Sequence, residues 1–180
     1  PFTGAHDGLI YKTATVEVGD ILKDIKDINK KGVSDTITEV ASTSHKNEKS
    51  AVGVLGTINM LTDAFIPASL TEFMHVHKPI DNAILESTTM LNVPIPIFYD
   101  LAEDYYLVEF NAVGEGQVNV CGEGGDLEPG DLIVSSSMPG KGMKQEDDIV
   151  RGYTVAKCRE HVQFSSPTEV KMVACIYLCG

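Results

Sequence analysis

The sequence predicts a mainly β protein, a short-stranded sandwich or distorted barrel with at most one or two short helices. The first indication is a hydrophobic period of two in short runs of β-branched and aromatic residues. The second is the glycine, proline, asparagine and aspartate residues that interrupt these runs at short intervals, as tight turns require. Many short strands at this spacing favour a sandwich or barrel over a parallel β-α-β sheet. The predicted strands are residues 13–18, part of 33–40, 107–110, 117–121, 132–134, 153–157 and 170–178.

Two segments compete with the all-strand interpretation. Residues 20–31 carry aliphatic side chains at helix-like spacing, and Gly32 follows them, where a helix often ends. The Gly-Asp pair at the start of this segment could equally begin a strand, so helix and strand both remain alternatives. Residues 67–75 predict one or two helical turns.

A short pattern occurs twice in the chain. Residues 16–22 and 127–133 both read as an aliphatic residue, Glu, any residue, Gly-Asp and two aliphatic residues. In such a turn the glycine adopts a positive φ and the aspartate accepts hydrogen bonds from turn amides. The repetition indicates either two related β lobes or simply a turn that is common in β proteins.

The length of the chain sets the domain expectation. A chain of 180 residues suggests one domain or two small ones, and it buries roughly 70% of its unfolded surface without needing disulfides or metals. We expect a single β-rich domain over residues 1–180. The finer alternative is two intertwined lobes, about 1–66 and 107–180, joined by 67–106.

Charge and composition exclude several kinds of partner. Lys and Arg total 14 against 26 Asp and Glu, for a net charge of −12. Nucleic acids and anionic membranes need a basic surface, and a base-stacking or sugar-binding groove needs more aromatic residues than 7% with no Trp. The apolar stretches are far shorter than the ~20 residues of a membrane span. We therefore expect no nucleic-acid partner and no membrane insertion.

The four cysteines are Cys121, Cys158, Cys175 and Cys179. Only the last two are close in sequence, and in a strand their separation is roughly 13 Å, too far for a disulfide. The chain also lacks the paired C-x2-C spacing of a zinc site. We expect four free, mostly buried thiols, as in a protein assembled in a reducing cytoplasm.

Few polar residues have the spacing of a catalytic or metal site. His75 and His77 share one face of a predicted strand and are weak metal-ligand candidates, but no third ligand follows them. His6 and Asp7 could form an orienting pair, yet no nucleophile motif accompanies them. The glycines of residues 114–125 are typical of β-turns, and the paired acidic residues are typical of solvated charge. We expect no catalytic residue, no cofactor and no enzymatic activity.

Six segments, spread from one end of the chain to the other, are more specific. They are residues 2–6, 114–121, 125–136, 139–145, 153–157 and 175–180. Together they resemble a domain of viral tail-fibre and appendage proteins, from bacteriophages and large DNA viruses, of the kind found next to a C-terminal intramolecular chaperone. Such domains open with Phe-Thr-Gly-x-His and close with Cys-x-Tyr-x-Cys-Gly, as this chain does.

The resemblance implies a virion structural protein, the distal domain of a homotrimeric tail fibre or appendage, assembled in the host cytoplasm. Its implied partners are other copies of the chain, other virion proteins, and a host-surface receptor or glycan if the domain also serves attachment. The chaperone's cleavage motif is absent, so the resemblance transfers no catalytic residue. The residues that carry the fold motif are Phe2, Gly4, His6, Gly130, Asp131, Pro139, Gly140, Tyr177 and Gly180.

A homotrimer of this chain would have to bury neutral surface, because each copy carries a net charge of −12. The neutral runs 91–97 and 170–178 are therefore candidate interface strands, with intramolecular core strands as the alternative. Two other functions are retained: a capsid decoration or scaffold protein, and a self-processing or glycan-cleaving appendage enzyme that uses His6 or carboxylates as catalyst.

Overall fold

A computed structural model describes residues 4–62, 64–73, 76–79, 90–93 and 96–180, and it confirms the mainly β prediction. These residues form two closed five-stranded barrels and a separate two-stranded hairpin. In chain order the strands are β1 Ala5–Tyr11, β2 Ile21–Lys31, β3 Asp35–Ser42, β4 Ala51–Met60, β5 Val76–Pro79, β6 Met90–Val93, β7 Tyr105–Asn111, β8 Val113–Cys121, β9 Leu132–Ser135, β10 Gly142–Lys144, β11 Thr154–Cys158 and β12 Val170–Leu178. The helical elements are α1 Pro96–Asp104 and two 3-10 helices, Ala68–Phe73 and Gly122–Gly124. Within the described ranges, no helix is long and apolar enough to cross a bilayer.

The two barrels have the same topology. The first closes in the order β1-β3-β2-β4-β7, and the second in the order β8-β10-β9-β11-β12. If the strands of each barrel are numbered along the chain, both orders become 1-3-2-4-5. The first and third strands pair in parallel, and every other pair is antiparallel. The chain therefore repeats one five-stranded unit.

The twice-occurring Glu-x-Gly-Asp pattern lies at the equivalent place in each barrel, immediately before the second strand. In the first barrel the N–H of Gly19 donates to the carbonyl of Leu55 at 2.8 Å, and the N–H of Leu55 donates to the carbonyl of Asp20 at 2.8 Å. The Asp20 carboxylate then accepts the N–H of Glu17 at 3.0 Å, which closes the turn. Gly19 has a φ of 94°, a conformation that favours glycine.

The second barrel repeats this hydrogen bonding. Gly130 donates its N–H to the carbonyl of Cys158 at 2.9 Å, and the N–H of Cys158 donates to the carbonyl of Asp131 at 2.8 Å. The Asp131 carboxylate accepts the N–H of Glu128 at 2.9 Å, and Gly130 has a φ of 105°. The same pattern thus builds the same turn twice, which favours the interpretation as two related lobes over that of a merely common turn.

The cores of the two barrels are joined. Alternation along β12 places Val173, Cys175 and Tyr177 inside the second barrel, as the predicted period of two requires. Ile21 and Val54 of the first barrel pack into this same core cluster. Apolar burial therefore continues from one barrel into the other and stabilises both together.

Residues 20–31 form a strand, with β2 paired to both β3 and β4. Two shifts of register against β3, between Asp24 and Lys26 and between Asp27 and Asn29, explain the helix-like pattern. Each bulge shifts the phase of the side chains, so a bulged strand loses strict alternation. Gly32 has a φ of 65° in the turn that joins β2 to β3, so it marks a hairpin rather than a helix end.

Several predicted boundaries differ from the structure. The strand prediction for residues 13–18 is wrong, because the strand lies earlier, at β1, where it pairs with both β3 and β7. Residues 67–75 contain the 3-10 helix Ala68–Phe73, in agreement with the predicted turns. The run 91–97 does not form one strand. Residues 91–93 belong to β6, residues 96 and 97 belong to α1, and residues 94 and 95 lie outside the described residues.

The connection between the fourth and fifth strands differs most between the barrels. In the first barrel it spans residues 61–104 and holds β5, β6 and α1, whereas in the second it spans only 159–169. Because β7 closes the first barrel, the two barrels meet at Ala112 rather than near residue 107.

Candidate functional site

The junction between the barrels contains a buried ion pair. The Asp20 carboxylate pairs with the ammonium of Lys141, which follows the motif residues Pro139 and Gly140. The side chains of Asp20 and Lys141 are 4% and 11% exposed. Asn119 of β8 donates from Nδ2 to the same carboxylate at 2.9 Å. An aspartate of the first barrel is thus bound by two side chains of the second.

Main-chain hydrogen bonds lie beside this ion pair. The carbonyl of Gly140 accepts the N–H of Ile21 at 2.7 Å, and the N–H of Gly140 donates to the carbonyl of Thr43 at 2.9 Å. Asn119 donates its N–H to the carbonyl of Gly19 at 2.9 Å. Gly140 has a φ of 72°, and a Cβ there would lie 2.8 Å from the carboxyl carbon of Asp20. A glycine is therefore required at residue 140.

A second set of contacts joins the β3–β4 connection to β9. The Ser135 hydroxyl donates to the carbonyl of His45 at 2.8 Å and accepts the N–H of Glu48 at 2.8 Å. Burial alone would raise the pKa of Glu48, but hydrogen bonds from Ser44 and Ser50 and the Lys23 ammonium outweigh it and lower that pKa. Glu48 is therefore held as a carboxylate in the folded protein.

Glu123 forms the corresponding bridge from the second barrel. Its carboxylate accepts the N–H of Ser137 at 2.8 Å and the Ser137 hydroxyl at 2.7 Å. The Lys46 ammonium, from the first barrel, lies 3.0 Å away. Partial burial would raise the pKa of Glu123, but the Ser137 hydrogen bonds and Lys46 lower it overall. The charge of Glu123 thus contributes to the contact between barrels.

The opening and closing motifs of the chain meet at Val113, where the first barrel passes into the second. Cβ atoms built on Gly4 and on Gly180 would both clash with the Val113 side chain. The N–H of Ala112 donates to the carbonyl of Gly4 at 3.2 Å, and the N–H of Cys179 donates to the carbonyl of Ala112 at 2.9 Å. Phe2 lies outside the described residues.

The motif residues His6, Tyr177 and Asp131 also contact other parts of the fold. His6 is exposed on β1, with its ring centroid 5.8 Å from that of Phe110. The Tyr177 hydroxyl donates to the carbonyl of Gln117 at 2.7 Å and accepts its N–H at 2.9 Å. Burial raises the pKa of Tyr177. Asp131 pairs with Lys144 at 2.8 Å, next to the turn at Gly130.

A cavity of about 300 Å³ lies beside the meeting point of the two terminal motifs. His6, Asp7, Asp24 and Cys179 are among the residues that line it. Burial, followed by the nearby charge of Glu109, raises the pKa of Asp7. No Lys or Arg is among the described lining residues, so the cavity suits a neutral or positively charged group better than an anion.

The predicted metal candidates fall largely outside the described residues. His75 is not described, and for His77 the structure describes only the backbone, in β5. Across the described ranges, no three His, Cys, Asp or Glu side chains are grouped as a metal ion would require.

The four cysteines are free, and all except the partly exposed Cys179 are buried. Burial raises the pKa of both Cys175 and Cys179 to about 12. Along the chain, only these two cysteines are close neighbours. The structure instead places Cys158 directly opposite Cys175 across β11 and β12. Only the pairing of the two strands could reveal this neighbour.

In comparisons with known proteins, no family model, no curated protein and no solved structure matches the chain.

Proposed function

We propose that this chain is a virion structural protein, the distal domain of a homotrimeric tail fibre or appendage, which acts in assembly and serves host attachment through its exposed surface. The observation that supports the proposal best is the location of the fibre-like motif residues. Gly140 and its neighbour Lys141 lie at the junction of the barrels, and Gly4 and Gly180 lie where the chain crosses between them. These residues join the two barrels to each other.

A joint of this kind suits a part that must stay stiff. The shared core cluster, the buried Asp20–Lys141 pair and the main-chain hydrogen bonds of Gly140 all act on the same interface. Bending the barrels apart would expose apolar surface and leave a charge without its partner, and both changes are costly. The two barrels therefore resist hinge motion, as a rod-like particle component requires.

The outer face of β12 supplies a surface for other copies of the chain. Val170, Met172 and Ile176 lie on this face and are 39%, 50% and 41% exposed. The face is apolar, whereas the chain as a whole carries a net charge of −12. Like-charged copies associate best through such neutral surface, so we assign this stripe to the contact between protomers.

Light scattering coupled to size-exclusion chromatography tests the assignment. We expect the chain at micromolar concentration to have three times its monomer mass of 19.4 kDa. Met172→Asp and Ile176→Asp should give monomers because they place a charge in the contact. Ile149→Asp, at a position 59% exposed and outside β12, is the matched control and should remain trimeric. A wild-type monomer, or equal effects of all three changes, contradicts the proposal.

The position of the chain on the particle distinguishes a fibre from a capsid decoration. In electron microscopy of particles that carry the chain, antibodies raised against it should label the ends of fibres or appendages. Labelling spread over the capsid shell would instead indicate a decoration or scaffold protein.

A further inference from the structure

Two thiols lie directly opposite each other inside the second barrel. Cys158 at the end of β11 is the register partner of Cys175 on β12. The next pair is hydrogen-bonded, since the N–H of Arg159 donates to the carbonyl of Ala174 at 2.9 Å. Cys158 and Cys175 therefore form a non-hydrogen-bonded pair, in which the Cα atoms of an antiparallel ladder are about 4.5 Å apart. That separation lies within the roughly 4.4–6.8 Å range that a disulfide spans.

Both side chains point to the same side of the sheet. Cys158 is 2% exposed and Cys175 is 0% exposed, and both belong to the core cluster of the second barrel. The nearness of Cys158, and after it of Cys179, adds to burial in raising the pKa of the Cys175 thiol. Register and burial thus place the two sulfur atoms next to each other.

The other two cysteines have different surroundings. Cys121 belongs to a separate cluster with Val134 and Met143. Cys179 lies beyond the end of β12 and packs against the same core cluster as Cys158 and Cys175, but its thiol donates to the carbonyl of Val155 at 3.6 Å. Neither is the register partner of another cysteine.

We propose that Cys158 and Cys175 are a modification site, which forms a cross-strand disulfide when the protein meets a small-molecule disulfide such as oxidised glutathione. The bond would enclose residues 159–174 and join β11 to β12 covalently. A protein that leaves a reducing cytoplasm would acquire this cross-link outside the cell.

The exchange has two balanced steps. The thiolate of Cys158 attacks one sulfur of glutathione disulfide, which forms a mixed disulfide and releases one glutathione thiolate. The thiolate of Cys175 then attacks the Cys158 sulfur and releases the second glutathione. The two protons from the cysteines end on the two glutathione thiols, so the protein loses two electrons and the small disulfide gains them.

Burial raises the pKa of the Cys158 thiol, so the first attack requires local opening, for which Cys158 is better placed than Cys175. It ends its strand and is followed by the exposed residues Arg159 and Glu160, whereas Cys175 lies in the middle of β12. Its thiol now donates to the carbonyl of Glu160 at 3.1 Å, in the short connection at the surface. Local opening of that connection would expose Cys158 before Cys175.

Equilibration in glutathione buffers tests the proposal. The full chain is incubated at a high and a low ratio of oxidised to reduced glutathione, both as native protein and during refolding from urea. Free thiols are then alkylated in denaturant and counted by mass spectrometry. We expect the four alkylated cysteines of the reduced sample to fall to two in the oxidised sample, with one peptide linking Cys158 to Cys175. The oxidised form should also melt about 5–10 °C higher, as expected for a short closed loop in a chain of this size.

Single substitutions provide the matched controls. Cys158→Ala and Cys175→Ala should lose the linked peptide, whereas Cys121→Ala and Cys179→Ala should retain it. The wild-type peptide map decides the question even if a variant does not fold. Four free thiols after oxidising refolding, or a predominant link through Cys121 or Cys179, would overturn the proposal.

Discussion

Replacing Lys141 by methionine tests whether the buried ion pair holds the barrels together. The change keeps most of the side-chain volume and removes the ammonium that faces Asp20. Removing one partner of a buried pair leaves the other charge uncompensated, which typically costs 3–5 kcal/mol. Asp20 keeps hydrogen bonds from Asn119 at 2.9 Å and from the N–H of Glu17 at 3.0 Å. We therefore expect the lower end of the range, a loss of about 3 kcal/mol.

Lys144→Met is the matched control for this change. Lys144 pairs with Asp131 at 2.8 Å in the second barrel, but its side chain is 35% exposed, against 11% for Lys141. Ion pairs with a solvated partner contribute little, so the control should lose about 1 kcal/mol or less. The comparison separates the loss of a charge at the junction from the loss of any lysine.

Urea unfolding at neutral pH measures these losses in the free energy of unfolding. Because the chain has no Trp, far-ultraviolet circular dichroism serves as the signal for unfolding. The Asp20→Asn change combined with Lys141→Met should be less destabilising than the two single changes added together, since neither charge is then left alone. If Lys141→Met costs no more than Lys144→Met, or if the double variant is simply additive, the ion pair does not hold the junction.

Three further predictions concern the same framework. Gly140→Ala should lower the free energy of unfolding by about 2–3 kcal/mol, because its φ is positive and its Cβ would meet Asp20. Gly32→Ala, also at positive φ but with nothing near the new Cβ, should cost about 1 kcal/mol, and equal losses would contradict the steric argument. The lowered pKa of Glu123 stabilises the fold above its ordinary value of 4.5, and this stability is lost as pH falls through the lowered pKa. Urea midpoints between pH 3 and 7 should therefore decline less steeply in Glu123→Gln, and an unchanged slope would exclude the effect. Tyr177→Phe removes two hydrogen bonds to main-chain atoms and should lower the melting temperature by about 4 °C, whereas an unchanged value would show that the hydroxyl is dispensable.

The β character of the chain could be predicted because it depends on a local pattern. Alternation along 170–178 predicted the strand β12 with its bounds, and its inner and outer faces follow the period of two. The Glu-x-Gly-Asp turns could also be located from sequence, since glycine and aspartate determine such a turn within four residues. The predicted mainly β fold is confirmed on this basis.

Residues 20–31 show where local pattern becomes ambiguous. Their apolar spacing fits a helix as well as a bulged strand, and pairing with β3 and β4 decides for the strand. Residues 13–18 alternate well but form no strand. The first strand of the barrel is β1, which pairs with both β3 and β7. Intrinsic preference is a weak guide when strand pairing supplies more stabilisation than the segment itself.

The contacts of the candidate site could not be predicted from the sequence. Asp20 and Lys141 are 121 residues apart, and neither has a motif that identifies the other as its partner. The same holds for Cys158 and Cys175, which meet only because β11 and β12 pair in one particular register. A shift by one residue would have placed these thiols on opposite faces.

By itself, the sequence determined that the chain forms short strands joined by tight turns, and it located the repeated turn that begins the second strand of each barrel. The tertiary structure decided how these strands close into two barrels of one topology, which charge is buried between them and which thiols are neighbours. The physical reason is the range of the forces involved. Turn geometry and alternation depend on a few adjacent residues, whereas closure, ion pairing and register depend on groups that only the folded chain brings together.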